Sequence, residues 1–446
     1  MKQTYYAIVG AGPAGIAAAE AIRTADSGKP LMLFNGENTP PYCRPLVVEA
    51  LTGERRLSDI TLRDVAWYEA QGITLSNGNP VVGIDAEARQ IRLESGDTVA
   101  YEKLLLATGS VPFVPPIPGL SEVPAHTLYC TRDVESLRPL CQPGARALVL
   151  GIGLIGLQAL TALKGMGLHV TAVEARKKVL PLILDREAAD LAGRRIEANG
   201  VDLRIGTKVV EFVRNGAGFS AVTDGGDSIP FDVLILATGM KPDKSLFENA
   251  GISVKGGVQV SPAMETSVPG IYAAGDVTEY PNWVEGRNEV HAHWLNATRQ
   301  GRIAGQSMAG VAAETYEPVY LNSLSIFGLP IITMGCSRID EPKDALVLVD
   351  RVAQRPWYRR LIVKDGKLVA ATFVNDVEGA GALQYLLREQ VPLTDDVARS
   401  LFVDGAAGVQ FMDSLHREAV RGGLEWPESM DLIDKFKKNM SHTRWA

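Results

Sequence analysis

Residues 5–9 form a short apolar run that stops at Gly10, and residues 13–23 then carry an Ala-rich pattern of helical period. A second apolar run at 31–34 completes a strand–helix–strand unit. Runs this short, bounded by turn residues, read as buried parallel strands. From 81 to 106, short alternating segments with a Ser95-Gly96-Asp97 turn predict an antiparallel insert, and the Pro-rich stretch 111–118 predicts a crossing between domains. The order then recurs: strand 147–150, helix 154–166, strand 169–173, an antiparallel stretch 201–228 and a closing strand 233–237. A strand at 271–273 is expected to return to the first unit. From about 320 the pattern changes to antiparallel strands at 360–363 and 367–373, then helices and a helical tail beyond Phe402.

At 446 residues the chain exceeds one ordinary core, so two or three domains are expected. Apolar residues make up 46% and charged residues 22%, the balance of a globular protein. A net charge of −7 argues against a nucleic-acid partner, which needs a clustered basic surface. The basic run at 434–438 reads as a solvated helix face. No apolar run reaches the roughly 20 residues of a membrane span. The first strand begins within a few residues of Met1, which leaves no room for a signal peptide and predicts a cytoplasmic location. Cys43, Cys130, Cys141 and Cys336 form no Cys-x-x-Cys pair. That pattern argues against a metal or iron–sulfur site, and against a closely spaced redox disulfide, within the chain.

The glycines fall in ordered motifs. Gly10-Ala11-Gly12-Pro13-Ala14-Gly15 follows a strand and opens a helix. In that context the first Gly permits a tight turn, the second lets backbone approach a pyrophosphate, and the third lets helix pack on strand. The helix N-terminus then offers amide donors and the positive end of its dipole to phosphates. Gly151-Ile152-Gly153-Leu154-Ile155-Gly156 repeats the arrangement. Glu174 lies 23 residues beyond Gly151, near the spacing of a carboxylate that binds ribose hydroxyls. It would repel a 2′-phosphate and so favour NAD over NADP, although Arg176, Lys177 and Lys178 follow closely. In the first unit, Glu37 is the ribose candidate, one residue past the usual place. The predicted class is α/β: two nested Rossmann-like dinucleotide-binding domains with antiparallel inserts and an α+β C-terminal domain. The expected boundaries are 1–120 with 243–318, 121–242, and 319–446.

With these turns come 104–110 (LLLATGS), 234–239 (LILATG) and 271–276 (IYAAGD). On these pieces the chain resembles the two-dinucleotide-binding-domain flavoproteins, which include disulfide reductases, NADH:rubredoxin reductases and the large subunit of assimilatory nitrite reductases. Residues 364–369 (KDGKLV) are similar to that family's C-terminal domain. The resemblance implies FAD at Gly10, Gly12, Pro13, Ala14, Gly15, Glu37 and Arg44, the backbone of Val82 at the adenine, and Ala107, Thr108 and Gly109 against the cofactor. Gly275 and Asp276 would meet the ribityl or phosphate region, where the bland alternative for Asp276 is a helix cap. The helix containing Trp294, Gln300 and Gly301 would point its N-terminus at the flavin. NAD would lie on Gly151, Gly153, Leu154, Ile155, Gly156, Glu174, Thr238 and Gly239.

The departures bear on activity. Disulfide reductases of the family carry a redox cysteine beside the flavin; residues 41–46 (PYCRPL) instead resemble the Tyr-x-Arg-Pro segment of the rubredoxin reductase branch. Cys43 is the one thiol to weigh there, with an unreactive small side chain as the alternative. The Lys–Glu pair usual near the flavin in that branch is replaced by Glu49 and Gln158. Arg44 is either a cation near the flavin or a surface salt bridge. No catalytic residue is certain; Arg44, Glu49, Gln158 and Cys43 are the candidates. His291 and His293 read as structural, because hydride transfer needs no proton from them. NADH gives two electrons as hydride, iron–sulfur proteins accept one at a time, and flavin serves both. The expected function is electron transfer between NAD(H) and a separate iron–sulfur or rubredoxin-type protein. Residues 180–185, 293–301 and 322–328 are similar to the FAD subunits of phenylglyoxylate dehydrogenase and tungsten aldehyde oxidoreductase, which implies a hetero-oligomeric complex oxidising an aldehyde or 2-oxoacid. Two alternatives are a stand-alone NADH oxidase or thiol/disulfide reductase using Cys43, and a flavoprotein that binds without turnover.

Overall fold

Val9, Leu106 and Ala273 end side by side, each closing a parallel strand at the edge where the first glycine turn begins. In the computed structural model these strands, Lys2–Val9, Thr98–Leu106 and Ile271–Ala273, belong to a seven-stranded sheet that also holds Leu31–Asn35 and Ile73–Asn77. The structure describes residues 2–216, 218–242, 244–248, 250–282, 287–312, 316, 318, 320–352 and 357–403. The basic run at 434–438 and the tail beyond 403 lie outside them. The central strands are apolar on both faces: Ile8, Leu33, Leu104, Leu105 and Leu106 are fully buried, as expected of a parallel sheet covered on each side.

The helix Pro13–Ala25 lies against the helix Trp294–Met308 at backbone distance. A Cβ at Gly301 would stand 2.1 Å from the Ala14 carbonyl oxygen, and one at Gly305 would stand 2.4 Å from that of Ala18. Only glycines permit this approach, and it brings the later helix onto the first glycine turn.

The insert predicted at 81–106 is antiparallel only in part. Val81–Asp85 pairs antiparallel with Gln90–Leu93, which pairs antiparallel with the start of Thr98–Leu106, but the other edge of that strand runs parallel to Lys2–Val9 from Val99 to Leu106. One nine-residue strand serves both arrangements, and its uninterrupted apolar end is what the alternation reading missed. A second correction concerns 201–228. Asp202–Ile205 pairs parallel with His169–Glu174 and joins a five-stranded sheet with Arg146–Leu150, Val233–Leu236 and Ala125–His126. The antiparallel piece is the separate three-stranded sheet Val209–Asn215, Gly218–Thr223 and Ser228–Phe231.

Short strands Ser110–Pro112 and Met240–Pro242 pair antiparallel and carry the chain between the two dinucleotide folds. Both folds lie in one compact unit, residues up to 320 with 325–329. The second unit, 321–324 and residues from 330 on, contains residues 330–335, Leu346–Val352, Trp357–Lys364 and Lys367–Val374 in one sheet, with helices Ala380–Arg388 and Asp395–Val403. Its central hairpin turns at Asp365 and Gly366, with φ of 50° and 68°, the left-handed pair that a two-residue hairpin requires.

Candidate functional site

The two glycine turns have the same geometry. A Cβ at Gly10 would lie 2.1 Å from the Ala107 carbonyl oxygen, and one at Gly15 would lie 1.9 Å from that of Gly10. In the second fold, Gly151 faces the Ala237 carbonyl at 2.4 Å and Gly156 faces that of Gly151 at 2.0 Å. Each first and third glycine is therefore fixed by backbone contact. Each middle glycine is different: a Cβ at Gly12 or Gly153 meets nothing within 4 Å. Both are helix N-caps with no side-chain cap hydrogen bond, beside space that no protein atom fills. That is the cradle a diphosphate fills.

Around the first turn, the Thr108 hydroxyl is buried without a partner, whereas its counterpart Thr238 donates to the Phe113 carbonyl at 2.6 Å. Gly109 and Gly239 both hold left-handed φ, 72° and 116°. The Gln300 carbonyl oxygen accepts from the Gly275 amide at 2.7 Å and the Thr278 hydroxyl at 2.9 Å, tying the turn that carries Asp276 to the late helix. Asp276 lies in this turn and caps no helix. Burial pushes its carboxyl above the usual range, opposed by a 3.1 Å bond from the Ser110 hydroxyl and by the charge of Arg44.

Glu174 ends its strand and accepts from the amides of Ile152 and Arg176, both at 2.9 Å. The equivalent place in the first fold is Asn35, because Phe34 pairs with Val9 as Val173 pairs with Leu150. Asn35 spends its side chain on the Thr39 carbonyl and Asn77. Glu37, two residues beyond the strand rather than one past the usual place, is held otherwise. It accepts from Tyr42 at 2.7 Å and pairs with Arg44. The Arg44 guanidinium stacks on the Tyr129 ring at 4.4 Å, and the Tyr129 hydroxyl donates to the Ser110 carbonyl at 2.7 Å. Arg44 is thus partly buried in this cluster, not a surface salt bridge. Tyr42, Ser110 and Tyr129 were missed as site residues. The first two stand inside motifs already singled out, and Tyr129 has no signal in the sequence.

The model of the pyridine nucleotide-disulphide oxidoreductase family matches residues 4–301. The chain belongs to this family. The model of the rubredoxin NAD+ reductase C-terminal domain matches 321–391. The chain is 29% identical over 421 residues to the epsilon subunit of NADH-dependent phenylglyoxylate dehydrogenase from Aromatoleum evansii, covering 94% of this chain and 99% of that one. It is 32% identical over 397 residues to the ferredoxin–NAD(+) reductase component of an anthranilate 1,2-dioxygenase system from Burkholderia cepacia, covering 87% and 95%. Among solved structures, NADH:rubredoxin oxidoreductase of Clostridium acetobutylicum matches with a TM-score of 0.73 at 25% identity over 90% of this chain and 100% of that one. Putidaredoxin reductase in its covalent complex with putidaredoxin shares the fold, with a TM-score of 0.81 at 23% identity over 91% and 99%. As a member of the family, the protein is an FAD-containing, NAD(H)-dependent oxidoreductase. No helix among the described residues is long and apolar enough to cross a membrane.

The remaining candidates fall on both sides of this site. Val82 sits at a bulge: the register slips between Val81 and Gly83, so it has no residue opposite in the ladder. Trp294 opens the late helix, whose N-cap His293 accepts from the Leu295 amide at 3.3 Å. His291 is buried against the Tyr280 carbonyl. Glu49 pairs with Arg55 at 2.5 Å, and Gln158 is exposed. Among the described residues no hydrogen bond joins Glu49 to Gln158, although their helices Val47–Thr52 and Leu154–Gly165 pack together. Burial pushes the Cys43 thiol up, so it is less of a thiolate than a free cysteine.

Proposed function

We propose that the first glycine turn holds FAD, the second holds NAD(H), and the chain passes electrons between NAD(H) and a separate iron–sulfur or rubredoxin-type protein. The observation that carries the reading is the repeat: two glycine turns with the same backbone contacts and the same open middle glycine, in one unit. Gly10, Gly12, Pro13, Ala14 and Gly15 take the FAD diphosphate. Glu37 takes the adenosine ribose, the bulge at Val82 meets the adenine, and Thr108 finds its missing partner on the cofactor. Arg44, Ala107, Gly109, Gly275, Asp276 and Trp294 complete that site. Gly151, Gly153, Leu154, Ile155, Gly156, Thr238 and Gly239 hold NAD(H), with Glu174 on the ribose hydroxyls and against a 2′-phosphate. The division at 1–120 with 243–318, 121–242, and 319–446 follows these roles.

Bound flavin accepts a hydride and releases electrons singly. The residues of this chain supply orientation, a fixed cation at Arg44 and a buried carboxyl at Asp276. Ferredoxin and rubredoxin reductases among the relatives support a protein partner. The phenylglyoxylate dehydrogenase subunit supports a place as the NAD-linked FAD subunit of a hetero-oligomeric aldehyde or 2-oxoacid oxidoreductase. Four free cysteines suit the reducing cytoplasm.

Paired variants test the two sites. Gly12 and Gly153 both have extended ψ and ordinary φ, so Asp fits the backbone at each. Gly12→Asp sets a carboxylate against the diphosphate and yields colourless protein. Gly153→Asp leaves the protein yellow, but NADH no longer bleaches it. Two yellow variants that NADH still reduces would refute the assignment. With wild-type protein, NADH reduces ferredoxin or rubredoxin faster than oxygen or a small disulfide; the opposite preference favours the oxidase or thiol-reductase reading.

A further inference from the structure

We infer that Tyr42 is a positioning residue for the flavin nucleotide, fixing the Glu37 carboxylate, in a closed ring with Arg44, in the orientation that meets the adenosine ribose. The inference rests on reading the first glycine turn as the FAD site, and it explains a difference between the two folds. Glu174 stands at the end of its strand and is oriented by two backbone amides, those of Ile152 and Arg176. Glu37 stands two residues past its strand end, at a position where Asn35 has taken the equivalent place. Among the described residues no hydrogen bond reaches the Glu37 carboxylate from the glycine turn; the side chains of Tyr42 and Arg44 orient it instead.

The ring has three members. The Tyr42 hydroxyl donates to Glu37 Oε2 at 2.7 Å, Arg44 Nη2 donates to Glu37 Oε1, and Arg44 Nη1 donates to the Tyr42 oxygen at 3.0 Å. The Thr131 amide also donates to that oxygen at 3.3 Å. A phenol gives one proton and accepts at two lone pairs, so Tyr42 has every site filled and cannot turn without breaking a bond. Thr131 begins the helix Thr131–Leu137, which anchors the hydroxyl to the backbone of a separate element. Arg44 is confined in turn by the rings of Tyr129 and Tyr42, at 4.4 and 5.2 Å.

The cluster keeps an open edge. The Glu37 side chain is 21% exposed and that of Arg44 is 32% exposed. A carboxylate has roughly four acceptor sites, and the ring occupies one on each oxygen. The others remain for ribose hydroxyls. Arg44 also offsets the charge of Glu37 beside a diphosphate, where an unpaired carboxylate would repel the ligand.

The experiment measures FAD affinity of the apoprotein by quenching of flavin fluorescence. Wild type, Tyr42→Phe, Glu37→Gln and the double variant are compared with FAD and with an analogue whose adenosine ribose is 2′-deoxy. Apoprotein melting is recorded alongside. We expect Tyr42→Phe to raise the FAD Kd about tenfold, through the lost hydrogen bond to the Glu37 carboxylate, and to lower apoprotein melting modestly, because the Thr131 amide and Arg44 Nη1 lose an acceptor. The double variant binds no more weakly than Glu37→Gln, because Tyr42 acts through Glu37. The loss in Tyr42→Phe shrinks with the 2′-deoxy analogue. Additive losses, or an equal loss with the analogue, overturn the inference in favour of a general structural role. An unchanged Kd in Tyr42→Phe, with a raised one in Glu37→Gln, overturns it while sparing the FAD site. An unchanged Kd in Glu37→Gln overturns the ribose assignment beneath it.

Discussion

Asp276 costs the folded protein stability at neutral pH, because its carboxyl is buried. Its carboxyl is pushed up by burial, with the Ser110 hydroxyl and Arg44 only partly opposing. A carboxyl raised in the fold binds more protons than in the unfolded chain, so its penalty is absent below the unfolded value of about 4, grows as pH rises from there to the folded value, and is constant above it. Asp276→Asn should therefore stabilise the apoprotein at neutral pH, weaken FAD binding, and lose its stabilising effect in acid. Calorimetry of the apoprotein across pH, with an FAD titration, checks all three. Cys43 makes the contrary case. Its thiol is also raised by burial, which leaves little thiolate to act as a nucleophile. Cys43→Ser should keep NADH-driven reduction of a protein or dye acceptor within about twofold of wild type, since no step is assigned to the sulfur. A loss beyond tenfold in that assay would restore the thiol-reductase reading.

The helix Trp294–Met308 depends on glycine for its place rather than its shape. A side chain at Gly301 would collide with the Ala14 backbone at 2.1 Å, and a backbone cannot swing aside as a flexible side chain can. Gly301→Ala should cost about 1–3 kcal/mol, the range for overpacking a tight contact, and should also weaken FAD retention, because Gln300 holds the Gly275 amide from the same turn of helix. Gly381, in the helix Ala380–Arg388, has nothing within 4 Å of an added Cβ. Gly381→Ala should instead stabilise by about 0.5 kcal/mol, through the entropy that glycine loses on folding. Urea unfolding of the pair separates packing from propensity.

Within the first unit, Ala107, Gly275 and Gly301 pack against Gly10 and Ala14 of the first glycine turn, and Ala237 packs against Gly151 of the second. FAD should therefore act as part of the fold. At a free concentration 100-fold above its Kd it adds about 2.7 kcal/mol to stability by mass action, so the melting temperature rises with FAD concentration. In Gly12→Asp that dependence should vanish while the melting of FAD-free protein stays near wild type, because the added side chain points into open space. A melting curve that ignores FAD in the wild type would leave the first turn without its assigned ligand.

By itself the chain determined the two glycine turns, the strands and helices that flank them, and the family, because tight turns and buried parallel strands constrain residue type locally. Gly10, Gly15, Gly151 and Gly156 are legible since no other residue fits a contact near 2 Å. Glu174 was legible because it ends a strand in register with the turn. Tertiary structure decided what rests on pairing between distant segments. The forked strand Thr98–Leu106 takes its neighbours from both ends of the first unit. Asn35 displaces Glu37 from the strand end, and Tyr129 reaches Arg44 from 85 residues away. Side chains that orient one another across such gaps leave no periodicity or spacing in the sequence, and only the folded chain brings them within hydrogen-bond reach.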